Sequence, residues 1–233
     1  MQLFQLRNLA HVLLALAALA MLVGLAVGNR GDARNRIPLP LRMLSSLLVW
    51  VAALLMWRGA TPDMQRQAAL AAAGMGCGFL GDLIMARVVP LPEHVMFGMG
   101  AFGIGHGCYI GATVEHLVRQ GALRKAPAAL LASWIAGGLG WFVAARNPSK
   151  PDILNKAALA YALLLASMSG LGAALAAHDR RYLSLALGGA LFFLSDLILA
   201  GELFRDLFFP HIGDTIWLTY LTSQGLIVEA LGA

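Results

Sequence analysis

Charge is what this sequence has least of. Asp, Glu, Lys and Arg make up 12% of its 233 residues, where a soluble domain carries about 25%. Mean hydropathy is +0.73, so the polar coat of a water-soluble fold is missing. Cysteine is almost as scarce. Cys77 and Cys108 are the only two, both inside apolar runs, and they read as small buried thiols. No Cys-x-x-Cys pair or Cys/His cluster points to zinc. A basic stripe is also lacking. The net charge is +5, but its residues are scattered over several loops, which suits lipid headgroups and speaks against nucleic acid.

What fills the chain instead is apolar sequence. Eight segments, residues 9–27, 39–57, 67–86, 94–118, 126–145, 153–177, 182–203 and 215–231, each approach the ~20 residues needed to cross a bilayer. Short loops between them hold most of the Pro, Arg, Lys and Asp. This pattern predicts an all-α, polytopic membrane helix bundle of about eight transmembrane helices, forming a single transmembrane domain over 1–233. The first segment is long for a signal-peptide core and reads as the first span. Eight spans put both termini on one face, A, opposite face B. Of the 17 Lys and Arg, 8 fall on A and 9 on B, so the positive-inside rule sets no orientation.

The strongest internal signal is a repeat. Phe79-Leu80-Gly81-Asp82-Leu83-Ile84-Met85-Ala86 returns as Phe193-Leu194-Ser195-Asp196-Leu197-Ile198-Leu199-Ala200, identical at six of eight positions and 114 residues on. The expectation is two duplicated four-helix halves, about 1–120 and 121–233, with a site where they meet.

Asp82 and Asp196 are the residues to weigh first. A carboxylate inside a span costs a few kcal/mol and must face protein, water or a partner. Asp82 shares a helix face with Gly74 and Gly78, and Asp196 shares one with Gly188 and Phe192. Both should point into the bundle; the plain alternative is a pair of structural carboxylates bonded to hydroxyls or backbone. His106 and Tyr109, Tyr161, and Tyr220 with Gln224 reach similar depth on other segments. Each alone could be a helix–helix hydrogen bond. Ser195 precedes Asp196 without a Gly-x-Ser-x-Gly elbow, so it is not read as a nucleophile. Gly103, Gly107 and Gly111 should form a tight packing ridge. Glu93, His94, Glu202 and Asp214 lie near face B as solvated or headgroup-level charge, and some Trp residues are expected as interfacial anchors.

These strings resemble the YhhN-like lysoplasmalogenase family of multi-pass membrane proteins. The resemblance rests on Gly81-Asp82-Leu83, Ala101-Phe102 with His106 and Tyr109, Tyr161 with Met168, Ser195-Asp196-Leu197-Ile198-Leu199-Ala200, and Tyr220 with Gln224. It covers roughly residues 70–228. It implies an eight-span fold and an ether hydrolase that cleaves the vinyl ether of lysoplasmalogens to a fatty aldehyde and a glycerophospho-base. The implied partners are a lysophospholipid or ether-lipid substrate and membrane lipids, with no cofactor and no metal. In a bacterium the location would be the inner membrane. Such hydrolysis begins with proton delivery to an alkenyl carbon and passes through an oxocarbenium ion. A buried carboxylic acid and a second carboxylate suit it, as in two-carboxylate glycosidases. Asp82 and Asp196 would be catalytic. His106, Tyr109, Tyr161, Ser195, Tyr220 and Gln224 would orient substrate or water.

Three rival classes share some of these features. A small proton-coupled transporter also uses duplicated halves with intramembrane carboxylates. A metal-dependent membrane hydrolase of the ceramidase type needs several histidines at one site, and only His106 is well inside a segment. A structural or lipid-sensing protein would need neither turnover nor transport.

Overall fold

The computed structural model describes residues 2–232, with side chains from Phe4 onward. Eight helices account for the fold: α1 (Gln2–Val27), α2 (Leu39–Arg58), α3 (Gln65–Met85), α4 (His94–Arg119), α5 (Ala126–Gly140), α6 (Asp152–His178), α7 (Leu183–Arg205) and α8 (Ile212–Gly232). A π-helical turn, Trp141–Ala145, extends α5, and 3-10 turns occur at Leu123–Lys125 and Arg180–Tyr182. No strand occurs among the described residues. All nine prolines lie in loops or in first helical turns, as in α2 and α5, where a missing N–H costs no helical hydrogen bond.

Among the described residues, seven helical stretches are long and apolar enough to cross a membrane, and the chain is an integral multi-pass membrane protein. The eighth helix, α8, has the length, at 21 residues, but Asp214, Gln224 and Glu229 lower its hydropathy. Three of its polar residues are covered by neighbours: Asp214, Ser223 and Gln224 are all buried. Polar side chains at this depth are tolerable because they face protein, not lipid.

The contacts place α2, α3, α4, α6, α7 and α8 in a closed ring, in that order, with α3 also touching α8. Two runs of sequential antiparallel helices, α2–α3–α4 and α6–α7–α8, meet at two seams, α4 with α6 and α8 with α2. Outside the ring, α1 leans on α2 and α5 leans on α6. Their apolar residues, such as Leu19, Leu22, Leu131 and Leu139, stay exposed, as lipid-facing helices require.

Glycine sets the closest approaches, on a different face from the expected ridge. A Cβ on Gly107 would meet nothing within 4 Å, and on Gly103 or Gly111 only ordinary contacts at 3.6 and 3.5 Å. The tight pairing of α3 with α4 runs through Gly74, Gly81, Gly98 and Gly105; a Cβ on Gly105 would sit 2.8 Å from the Gly74 carbonyl. The ridge reading failed because regular spacing marks a face without saying which neighbour it meets.

Among the described residues, the non-glycine residues with left-handed backbone all lie at face B. Arg87, Glu93, Asp206 and His211 have φ of 56°, 49°, 54° and 61°. They flank the α3–α4 and α7–α8 loops. Left-handed backbone costs a non-glycine residue about 1 kcal/mol, and it concentrates at functional sites.

Candidate functional site

Both repeat aspartates sit on the middle helix of their three-helix run, Asp82 three residues before the face-B end of α3 and Asp196 nine residues before that of α7. Asp82 on α3 is 4% exposed. Its Oδ2 accepts hydrogen bonds from Ser46 Oγ of α2 at 2.5 Å and from the Tyr220 hydroxyl of α8 at 2.9 Å. Behind Tyr220, Gln224 Nε2 donates to the Tyr220 oxygen at 3.2 Å, and the Tyr109 hydroxyl donates to Gln224 Oε1 at 2.6 Å. This chain ties α2, α3, α4 and α8 together. Gly78 leaves room for it: a Cβ there would lie 2.7 Å from Gln224 Nε2 and 3.3 Å from the Tyr220 hydroxyl.

Asp196 on α7 anchors a second chain. The Tyr161 hydroxyl of α6 donates to Asp196 Oδ2 at 2.5 Å, and His106 Nε2 of α4 lies 3.1 Å from the Tyr161 oxygen. Asp196 is only partly buried. Phe192 links the two chains: its ring meets His106 edge-on at 4.6 Å and Tyr220 at 5.3 Å between centroids.

Both carboxylates line one cavity of about 380 Å³ near face B. Tyr220, Ser195, Phe102 and Trp217 share its wall, and Arg34, Asn35, Arg42, Arg87 and His94 also line it. Beside it runs an apolar groove between α4, α5, α6 and α7, lined by Met99, Phe102, Trp141, Leu165 and Phe193 among others. Asp196, Met85, Phe102, Leu199 and Leu203 border both spaces. Asp196 therefore stands where a polar chamber meets an apolar slot, and Asp82 stands inside the polar chamber.

The expected site residues divide by position. Tyr220 and Ser195 line the cavity and Tyr161 lines the groove. Ser195 Oγ donates to the Ile216 carbonyl of α8 at 3.0 Å, so its hydroxyl pins α7 to α8. His106, Tyr109 and Gln224 line neither space; they hold Tyr161 and Tyr220 from behind. Ser46, Arg34, Asn35, Arg42, Arg87 and Trp217 were not singled out from the sequence as site residues. The Ser45-Ser46 pair inside an apolar run and Arg42 in the first turn of α2 were the available signals. Trp217 is 8% exposed and packs on Tyr220, in the core instead of at an interface.

Two charges near face B also differ from expectation. Asp214 is 3% exposed, and its carboxylate accepts the backbone N–H groups of Arg36 and Ile37 at 2.7 and 2.9 Å. Glu202 pairs with Arg34, whose Nη2 donates to it at 2.8 Å. With the His211 N–H to Ala33 carbonyl bond at 2.7 Å, these contacts strap loop 28–38 across the start of α8. Among the described residues, no three His, Cys, Asp or Glu side chains gather at one point.

The chain is thus a polytopic membrane helix bundle that holds two carboxylates in one cavity. The YhhN family profile matches residues 39–231, and the chain belongs to that family. The match spans α2 to α8. No curated protein and no solved structure matches the chain.

Proposed function

We propose that the chain is a membrane-embedded, lysoplasmalogenase-like hydrolase that cleaves the vinyl ether bond of a lysoplasmalogen to a fatty aldehyde and a glycerophospho-base. The observation that carries this reading is Asp196 at the boundary of the polar cavity and the apolar groove, with Asp82 in the same cavity. An amphiphile with its headgroup toward face B and its alkyl chain in the groove brings the bond between chain and glycerol to that boundary. One groove suits a lipid with one chain. In a bacterial cell the inner membrane would supply it.

The roles divide by position. A proton passes to the alkenyl β-carbon, the C=C π pair makes the new C–H bond, and an oxygen lone pair completes an oxocarbenium ion. That β-carbon belongs to the chain side, so Asp196, which borders the groove, is assigned the acid. Asp82 lies inside the polar chamber, held by the Ser46 and Tyr220 hydroxyls. It is assigned the group that faces the cation and takes a proton from the attacking water. The hemiacetal then collapses: Asp196 takes its hydroxyl proton, the C–O bond to glycerol breaks, and the glycerol oxygen takes the proton held on Asp82, which returns both carboxyl groups to their starting states. One water is consumed per turnover.

The direct test is hydrolysis of a lysoplasmalogen by the purified protein in D₂O, with the aldehyde trapped at once by borohydride. The expected product carries one deuterium on the carbon next to the former carbonyl. Folded protein that releases no aldehyde contradicts the reading. Proton-gradient-dependent uptake of a solute into vesicles by that same protein would then favour a transporter.

A further inference from the structure

We infer that Arg42, with Arg87 and His94, forms a binding subsite for a phosphate group at the face-B mouth of the cavity. The inference deepens the hydrolase reading by naming the headgroup chemistry, and it rests on that reading only for the identity of the lipid. The inference rests on a cluster of cationic side chains at the cavity mouth, while the carboxylates of that cavity, Asp82 and Asp196, are bonded to hydroxyls deeper in. Three arginines and a histidine, Arg34, Arg42, Arg87 and His94, line the cavity with Asn35. Arg34 is neutralised by Glu202. Neither Arg42 nor Arg87 has a carboxylate within ion-pair distance among the described residues. Asp214, the nearby acidic residue, spends its carboxylate on the backbone of Arg36 and Ile37.

Arg42 is the most constrained of the group. Its Nη1 donates to Asn35 Oδ1 at 3.0 Å, and its guanidinium lies 5.9 Å from the centre of the Trp217 ring. Its buried Nε has no hydrogen-bond partner, and the donors left to meet an incoming anion are those of its Nη atoms. A guanidinium held on an aromatic face with donors to spare suits a phosphate, which accepts two parallel N–H bonds from such a fork. The backbone adds to this field. Leu39, His94 and Gly213, at the starts of α2, α4 and α8, all line the cavity, so three helix N-termini bring their positive dipole ends toward it. The Asp82 and Asp196 carboxylates lie deeper in the same cavity. An amphiphile therefore enters with its anion at the mouth and its uncharged linkage beside the carboxylates.

The test uses ligands that lack the vinyl ether, so it does not depend on turnover. Binding of 1-O-octylglycerol-3-phosphate, 1-O-octylglycerol and inorganic phosphate to the full-length protein in detergent would be compared by calorimetry. The expected result is binding of the phosphate-bearing ether about tenfold or more tighter than the phosphate-free ether. Arg42→Gln should remove that preference while leaving octylglycerol affinity unchanged, and Arg42→Lys should retain part of it. Competition by millimolar inorganic phosphate would show that the subsite takes the anion on its own; its absence would tie binding to the lipid-borne group. Equal affinity for the two ethers in wild type, or an undiminished preference in folded Arg42→Gln, would overturn the subsite. A protein that keeps the preference yet releases no aldehyde from lysoplasmalogen would fail the hydrolase reading and leave the subsite standing.

Discussion

At the scale of single residues, the site depends on hydroxyl donors aimed at carboxylates and on one glycine that makes space for them. Tyr161 is the only side chain hydrogen-bonded to Asp196 among the described residues, and it also meets His106. Tyr161→Phe removes both contacts without changing shape. A hydrogen bond to a charged group contributes about 1.5–3 kcal/mol. Turnover should therefore fall by about tenfold to a hundredfold while the melting temperature moves little, as steady-state kinetics and thermal unfolding would check. Gly78→Ala places a methyl 2.7 Å from Gln224 Nε2 and should dislodge the Tyr220–Gln224–Tyr109 chain. Activity should drop about tenfold by the same measure. Gly107→Ala, with open space around it, should be silent in both assays. The aspartates were legible in the sequence because an ionisable residue in an apolar run has few innocent explanations. Ser46 was not, because serine is common in such helices and only the fold shows which carboxylate it reaches.

At the scale of elements, the repeat and the hydrogen bonds have the same period. Tyr220 lies 114 residues after His106, the interval that separates Asp82 from Asp196. Tyr220 of α8 reaches Asp82 of the first half, and His106 of α4 reaches Tyr161 and thus Asp196 of the second. The seams α4–α6 and α8–α2 exchange under the same shift of four helices. We propose on these grounds that the halves, about 1–120 and 121–233, descend from one duplicated unit. The strap between loop 28–38 and α8 has no such counterpart in the sequence pattern; Asp214 read as a solvated charge because hydropathy cannot tell a loop carboxylate from one buried by a returning chain. Asp214→Ala leaves the N–H groups of Arg36 and Ile37 without acceptors. It should cost about 2 kcal/mol of stability and speed hydrogen exchange in loop 28–38. Unchanged exchange there would contradict the strap.

At the scale of the whole molecule, apolar run length and loop composition determined the bundle, so all eight helices were legible, although α1 begins seven residues before the apolar run that marked it. The cavity and groove were not, because they arise from ring closure between helices far apart in sequence. That closure brings a cationic mouth, two carboxylates and an apolar slot into one line from face B inward, and the account depends on the carboxylates. The measurement that tests it most directly is aldehyde release from a lysoplasmalogen in detergent by wild type, Asp82→Asn and Asp196→Asn, with thermal unfolding to confirm fold. The account predicts aldehyde from wild type and a loss of about a hundredfold or more in each variant, with melting temperatures retained. Near-normal turnover in both folded variants would contradict it.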